Sequence, residues 1–444
     1  MEGVKKTSLL LGDIIVLYLA LFLMLVLSYG FDWERQWNSH LAPFSVIYLL
    51  TLAVFYIMGL YDLSVARNNI YFFIILGQAL LISAALAVFF FYFIPYFGIT
   101  PKTHLFINLI LVALFFVSWR QLYNYFIKSP GLLNNVLFIG QNEETKELIG
   151  YIKRNPQLGY RIKKVADPKE LKILHNLIDT IVQERIQLIV TSSDPRKDND
   201  LVRNLYQCLP LKISVSDLPN FYERITGKIP VSAIEEIWFL DNLMRKKKIF
   251  FEAAKRGADI TIATLGGLLT LCLTPLIACL IKIDNPGPVF YRQKRVGQDN
   301  RIFEMLKFRT MIQDAEKNGV QWAKKNDRRN TRVGNFLRKT RLDELPQLWN
   351  ILKNDMSFVG PRPERPEFAF SNELLAQIPF YQIRHTIKPG LTGWAQIKYP
   401  YGASLEDILQ KLQYDLYYIK NRSFILDLSI ILKTIKIILS AGGQ

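Results

Sequence analysis

Residues 258–283 read ADITIATLGGLLTLCLTPLIACLIKI. Roughly 20 apolar residues at about 1.5 Å rise match the hydrocarbon core of a bilayer, so the run is long enough to span. Its flanks decide where the rest of the chain goes. Arg245, Lys246, Lys247, Lys248, Lys255 and Arg256 precede it, while Lys282, Arg292, Lys294 and Arg295 close it and follow it. Basic residues stay on the cytoplasmic side, so symmetric basic flanks predict that both ends share that side. Pro275 removes a helical hydrogen bond and kinks the helix. The Thr274 hydroxyl beside it is suited to satisfy a freed carbonyl. The run therefore reads as a re-entrant helical hairpin that dips into one leaflet and returns. An ordinary fifth span is the competing reading.

Working back from there, four more apolar runs occupy residues 8–29, 41–60, 70–94 and 104–119. Asp13 is the only acid inside them and is expected to face the bundle. The first run lacks a small-residue cleavage site and more spans follow, so it reads as a retained anchor. Lys5, Lys6, Arg67, Arg120 and Lys128 lie at one set of ends; the other ends hold Arg35 against Asp32 and Glu34, and Lys102. That asymmetry puts the N-terminus and everything after Arg120 in the cytoplasm. Residues 1–128 are thus a four-helix transmembrane domain.

Residues 129–244 carry short buried-strand patterns at 136–140, 187–192 and 211–215, with a helical pattern at 143–153. Strands alternating with helices predict a parallel α/β sheet. The first strand-to-helix turn, Gly140-Gln141-Asn142-Glu143-Glu144, has one glycine and two acids. A dinucleotide site needs glycines there for close approach of backbone to pyrophosphate. The region reads as a degenerate Rossmann-like cytoplasmic domain used for packing or regulation.

Composition narrows the class. Half the residues are hydrophobic, and Lys+Arg 55 against Asp+Glu 38 gives a net charge of +17. Disorder is excluded by the apolar content. Cys208, Cys272 and Cys279 make no disulfide framework, and with four scattered histidines they give no zinc spacing. The surplus cations call for anionic partners such as lipid headgroups or phosphates. Nucleic acid is set aside, because aromatic interleaving and a reader fold are missing.

The chemistry lies in residues 245–444. Arg292, Lys294, Arg295, Arg301, Lys307 and Arg309 cluster, and Lys324 to Arg341 adds eight more cations against Asp327. Next comes Leu342-Asp343-Glu344-Leu345-Pro346. Pro346 fits only near a helix start, so Asp343 and Glu344 belong at a helix N-terminus. Acids there are ordinary dipole partners. Beside a basic cluster, two adjacent acids also suit Mg²⁺. The dipole and nearby arginines are expected to keep Asp343 ionised and able to attack phosphorus. Arg362, between Pro361 and Pro363, is a rigid fork suited to phosphate.

Seven strings in order carry a resemblance. They are Lys255-Arg256 with Asp259; Gly287-Pro288-Val289-Phe290; Gln293-Lys294-Arg295-Val296-Gly297; Lys307-Phe308-Arg309-Thr310-Met311; Leu342-Asp343-Glu344-Leu345-Pro346-Gln347-Leu348; Asp355-Met356-Ser357-Phe358-Val359-Gly360-Pro361-Arg362-Pro363; and Pro389-Gly390-Leu391-Thr392-Gly393-Trp394-Ala395-Gln396. With them the chain resembles the monotopic phosphoglycosyl transferases, the bacterial sugar transferase family, over about residues 250–440. The layout is similar to the large members with four extra spans and a nucleotide-fold domain. Thr274-Pro275 replaces the usual Ser-Pro, and the segment around Tyr399-Pro400-Tyr401 lacks the usual Asn-Gly-Arg.

The resemblance implies an α+β monotopic catalytic domain over residues 245–444, with its re-entrant membrane helix at 258–283. It implies transfer of a sugar-1-phosphate from a UDP-sugar to polyprenyl phosphate, typically undecaprenyl phosphate. The route is covalent through Asp343, with Glu344 beside it, Mg²⁺ held by both, and UMP released. Lys307, Arg309, Arg338 and Arg362 match cationic family positions and are assigned to substrate phosphates. The setting is the bacterial inner membrane, the catalytic domain facing the cytoplasm in contact with membrane lipid, and the arrangement leaves room for a homodimer. Two other classes compete: a membrane-bound nucleotide-sugar dehydratase, for which Tyr160 and Lys164 give a Tyr-x-x-x-Lys spacing, and a non-enzymatic basic membrane scaffold.

Overall fold

The computed structural model describes residues 2–93, 102–127, 129, 133–167, 174–192, 199–243, 249–313, 315, 327–399, 402 and 404–439. Lys128, Arg245, Lys246, Lys247, Lys248, Lys324, Lys325, Pro400 and Tyr401 lie outside the described residues. The chain divides into two compact units, Met1–Phe221 and Tyr222–Gln444.

The first unit opens with α1 (Glu2–Tyr29), α2 (Trp33–Met58), α3 (Ile70–Phe93) and α4 (Lys102–Phe126). A 3₁₀ turn at Gly30–Asp32 separates α1 from α2, which pack on each other. The stretch Gly3–Met58 and the helices Ile70–Phe93 and Thr103–Phe126 are apolar and long enough for a membrane. Their shared core includes Leu17, Leu21, Phe44, Phe55, Phe72 and Phe116. Arg120 is a correction to the sequence reading. It sits inside α4 rather than beyond a span, fully buried, with Nη2 2.5 Å from Asp13 Oδ2. Asp13 also accepts from Tyr61 Oη at 2.7 Å and Trp119 Nε1 at 3.0 Å. The acid faces the bundle as expected, and its charge is what allows an arginine there.

The same unit continues as β1 (Asn134–Ile139), α5 (Glu143–Arg154), β2 (Tyr160–Ala166), α6 (Leu174–Gln183), β3 (Leu188–Thr191), α7 (Asn199–Gln207) and β4 (Ser214–Asp217). The strands form one parallel sheet in the order β2-β1-β3-β4. At the turn after β1, Gly140 has φ +87°. Asn142 then caps α5 by accepting from the Thr145 amide at 2.8 Å. Arg67 ties the bundle to this sheet through the Arg154 carbonyl and Asn155 Oδ1.

α8 (Leu218–Thr226) crosses the boundary between the units, and α9 (Glu236–Leu243) follows. Residues from 222 onward are clasped to the second unit. Glu223 bonds Lys420 and Asn421, Trp394 Nε1 donates to the Gly227 carbonyl, and Ile229, Val231, Trp238 and Phe239 are buried in its core.

α10 (Ile249–Asp284) is helical throughout its 36 residues, Pro275 included. It is also apolar and long enough for a membrane. Thr274 Oγ1 bonds the Thr270 carbonyl at 2.7 Å, one position before the Leu271 carbonyl that the proline cannot reach. The second unit grips this helix at both ends. Near its start, Arg256 donates to the carbonyls of Ile351 and Leu352, and Asp259 accepts from the Phe358 amide. Near its end, Ile277 and Ile281 pack on Phe308 and Leu337, and Asp284 accepts from the Val333 amide. Between the grips, Leu265, Leu268, Leu269, Leu271 and Leu276 are all more than half exposed.

The remaining elements build a small α+β body. β5 (Phe290–Val296) and β6 (Ile302–Phe308) are an antiparallel pair. α11 (Arg332–Thr340) and α12 (Gln347–Leu352) come next, then β7 (Ser357–Val359), α13 (Pro366–Ala369) and α14 (Asn372–Gln377). β8 (Gly390–Thr392) pairs parallel with β7, and α15 (Trp394–Lys398), α16 (Leu405–Asn421) and α17 (Phe424–Leu439) close the unit. Gly360 and Gly390 lie back to back. A Cβ on Gly390 would sit 2.1 Å from the Gly360 nitrogen, so the glycines of both motifs are needed for the crossing. α17 docks one side on the core through Ile430 and leaves Ile425 and Leu428 exposed.

A fragment beginning at Tyr222 should keep the melting behaviour of this unit. One beginning at residue 245 loses Ile229, Val231, Ile234, Trp238 and Phe239 from the core and the Glu223–Lys420 pair, and should be less stable by several kcal/mol. Thermal unfolding of the two fragments in the same detergent checks this.

Candidate active site

Arg341 ends α11 in the left-handed conformation, φ +59°. That turn throws Leu342–Glu344 into a 3₁₀ turn, which leads through Pro346 into α12. Asp343 and Glu344 are therefore at a helix start, as the sequence required, and both are buried.

The cations converge on one atom. Glu344 Oε1 accepts from Lys307 Nζ at 3.2 Å and from Arg362 Nη2 at 3.0 Å, and Arg341 Nη1 lies 3.5 Å away. Burial alone would raise the Glu344 carboxyl. Lys307, Arg362 and Arg341 outweigh it and hold the group well below the usual carboxylate range. Lys307 is pushed down by burial and by Arg362, and drawn back up by Glu344.

Asp343 has the opposite balance. Burial and the Glu344 charge push its carboxyl up, against Lys307, Arg338 and Arg341. Its Oδ1 is buried without a hydrogen-bond partner among the described residues. The arginines expected to keep Asp343 ionised are thus spent chiefly on its neighbour. An orphaned oxygen beside a second carboxylate fits a hard cation, which takes one or two protein carboxylates and fills its other positions from water and phosphate. Among the described residues no group of three or more His, Cys, Asp or Glu forms a metal cage.

Of the residues singled out from sequence, Lys307, Arg362, Asp343 and Glu344 come together. Arg338 stands close enough to act on Asp343, with Nη1 2.7 Å from Asn330 Oδ1. Arg309 faces elsewhere: it donates to the carbonyls of Asn285 and Pro286 just past α10. Arg341 was not singled out, although it directly precedes the Leu-Asp-Glu string.

A profile of the bacterial sugar transferase family matches residues 250–441. A Klebsiella pneumoniae protein named UDP-glucose:undecaprenyl-phosphate glucose-1-phosphate transferase is 30% identical over 356 residues, 76% of each chain. The chain belongs to the bacterial sugar transferase family. Another member, from Aeromonas hydrophila, is named UDP-N-acetylgalactosamine-undecaprenyl-phosphate N-acetylgalactosaminephosphotransferase and is 42% identical over 251 residues, 56% of this chain and 58% of its own. A Xanthomonas campestris pv. campestris member, named as a UDP-glucose:undecaprenyl-phosphate glucose-1-phosphate transferase, is 33% identical over 328 residues, 68% of this chain and 66% of its own. The chain thus spans less than two thirds of the length of these last two relatives. The dehydratase spacing finds no support in this family member. Tyr160 and Lys164 lie on β2, where residues four apart are about 13 Å apart along the strand.

One buried histidine in the unit titrates in a useful range. Burial and Arg384 lower His385 to about 4, against the pull of Glu364. Its Nδ1 lies 2.7 Å from Asn300 Oδ1. An unfolded histidine takes a proton near pH 6.5 and the folded one does not, so stability falls as pH drops from about 7 to 5, by roughly 1–2 kcal/mol. Replacing His385 by Asn should flatten that part of the stability profile, measured by chemical unfolding across the pH range.

Proposed function

We propose that the protein transfers a sugar-1-phosphate from a UDP-sugar to undecaprenyl phosphate, the first membrane-bound step in assembling a bacterial polysaccharide. The observation that carries this is the unequal pair: Glu344 neutralised by three cations, and Asp343 beside it with a buried, unpartnered oxygen. The names of the family relatives give the donor and acceptor classes.

In this reading an Asp343 carboxylate oxygen attacks the β-phosphorus. A phosphorus–oxygen bond forms to Asp343, the pyrophosphate bridge breaks, and UMP leaves with the bridging electrons. An oxygen of the lipid phosphate then attacks the same phosphorus and frees Asp343. Lys307, Arg362 and Arg341 hold Glu344 and offer positive charge to the incoming phosphates, which is most of what phosphoryl transfer asks of a protein. Arg338 adds charge on the Asp343 side. Asp343 and Glu344 would hold Mg²⁺, which when bound offsets phosphate charge.

The α10 helix is read as re-entrant in the cytoplasmic leaflet of the inner membrane. Both of its ends are fastened to one small body, and its exposed leucines lie between them. A lipid phosphate and a soluble nucleotide then meet at the same surface. In a background lacking Cys208, Cys272 and Cys279, cysteines at Ala253 and Arg301 should react with an impermeant reagent only after the inner membrane is opened. Opposite accessibility would mean a full span.

The chemical test is UMP release from a panel of UDP-sugars with membrane extract. Incubation with donor alone should leave a phosphosugar on Asp343, visible by mass spectrometry of the digested chain. Asp343→Asn should lower transfer by at least about a thousandfold, as loss of a covalent nucleophile does. Glu344→Gln should weaken Mg²⁺ dependence. A basic membrane scaffold, by contrast, would tolerate both changes.

A further inference from the structure

The Pro361-Arg362-Pro363 segment is held from outside along its whole length. Four consecutive carbonyls each accept a bond. Pro361 accepts from the Gly390 amide at 2.9 Å, Arg362 from Arg384 Nη2 at 3.1 Å, Pro363 from Arg295 Nη1 at 2.9 Å and Glu364 from the Val296 amide at 2.9 Å. The prolines fix φ on either side of Arg362. The donor to the Arg362 carbonyl therefore governs where the guanidinium ends up.

That donor is unusual in its setting. Arg384 is buried on the 3₁₀ stretch Tyr381–Thr386. Its Nη2 also donates to Asp415 Oδ2 on α16 at 2.8 Å, its Nη1 donates to Tyr381 Oη at 2.7 Å, and Glu364 Oε1 is 3.6 Å away. Asp415 is 1% exposed as a side chain. A buried ion pair is poor value as stabilisation, since apolar residues of like volume serve as well or better. This one ends on the backbone carbonyl of Arg362, itself a residue of the site.

Resting on the transferase reading above, we infer that Arg384 is a positioning residue: countered by Asp415, it fixes the Arg362 backbone so that the Arg362 guanidinium meets Glu344. Arg384 touches neither carboxylate of the dyad; it acts through Arg362. A lysine at 384 keeps the charge for Asp415 but lacks the fork that reaches the Arg362 carbonyl at the same time.

The experiment is a double-mutant cycle on the full chain in detergent, reading UMP release with Arg384→Lys, Arg362→Ala and both. Displacement by a fraction of an ångström to an ångström is enough for order tenfold losses or more. Arg384→Lys should lower kcat about tenfold with Arg362 present and KM for the UDP-sugar little changed. With Arg362 already removed, the same change should cost less than about twofold. Equal losses in the two backgrounds overturn the inference and leave Arg384 a structural residue. Should Arg384→Lys not fold, Asp415→Asn takes its place in the cycle, with the same two outcomes. A wild-type chain that releases no UMP from any sugar removes the transferase reading and this inference with it. A wild-type chain that is active, with equal losses, removes the inference alone.

Discussion

One carboxylate oxygen, Glu344 Oε1, is shared by Lys307 at 3.2 Å, Arg362 at 3.0 Å and Arg341 at 3.5 Å. Taking a carboxylate out of water costs several kcal/mol unless it is paired. Here it is over-paired, and each cation arrives by a different structural device. Lys307 stands near the end of β6, in a strand pair whose register sets Lys307 opposite Tyr291. Arg341 needs a left-handed backbone to turn back toward its third neighbour. Arg362 needs two prolines and a crossing of two glycines behind it. The strand pair, the α11–α12 corner and the β7–β8 crossing all meet at this oxygen. Its surplus of positive charge also leaves Asp343 with the weaker share of cations.

The division of labour within the dyad was beyond the sequence, although the dyad was not. Adjacent acids before a proline, next to a basic cluster, mark a charged helix start in any reading. Which acid takes the cations depends on residues at 307, 341 and 362, whose distances are decided by folding alone. Arg309 makes the same point from the other side. In sequence it is one more cation in Lys-Phe-Arg; in the structure its guanidinium is used up on two backbone carbonyls. The apolar helices were legible because length and hydropathy suffice. Arg120 was misread as a flank, since a run of hydropathy stops at an arginine while the helix continues past it when Asp13 supplies the countercharge. Strand β2 escaped notice for a related reason. It is an edge strand, and Arg161, Lys163 and Lys164 on it break the apolar pattern.

The membrane helix and the dyad form one mechanical piece. α12 has six residues, about 9 Å of helix. The dyad precedes its first turn, and Arg256 of α10 holds the carbonyls of Ile351 and Leu352 at its last. Between these ends Leu348 and Ile351 pack with Ala263 of α10 and with Met305 and Met356. Gly266 lies so close that a Cβ there would come within 3.1 Å of Leu348. The short helix therefore has little freedom to tilt without moving α10.

That coupling gives the apolar run a second meaning. α10 shows the body one face and the outside another: Ala263 is fully buried against the body while Ile260, Ile262 and Leu265 are exposed, and Leu273 and Ile277 pack on Phe308 and Leu337 further along. Ala263 and Arg256 thus link this helix to the short helix that carries the dyad. Thr274 and Pro275 lie in the exposed segment, away from that linkage. Their effect on the dyad would pass through the path of the helix back to Ile281 and Asp284, where α11 receives it at the Val333 amide. α11 in turn ends at Arg341, the residue that turns the chain into the dyad. The two grips on α10 thus lead by separate routes to the two ends of the same short corner, one through Arg256 and Ala263 to α12 and one through Asp284 to α11.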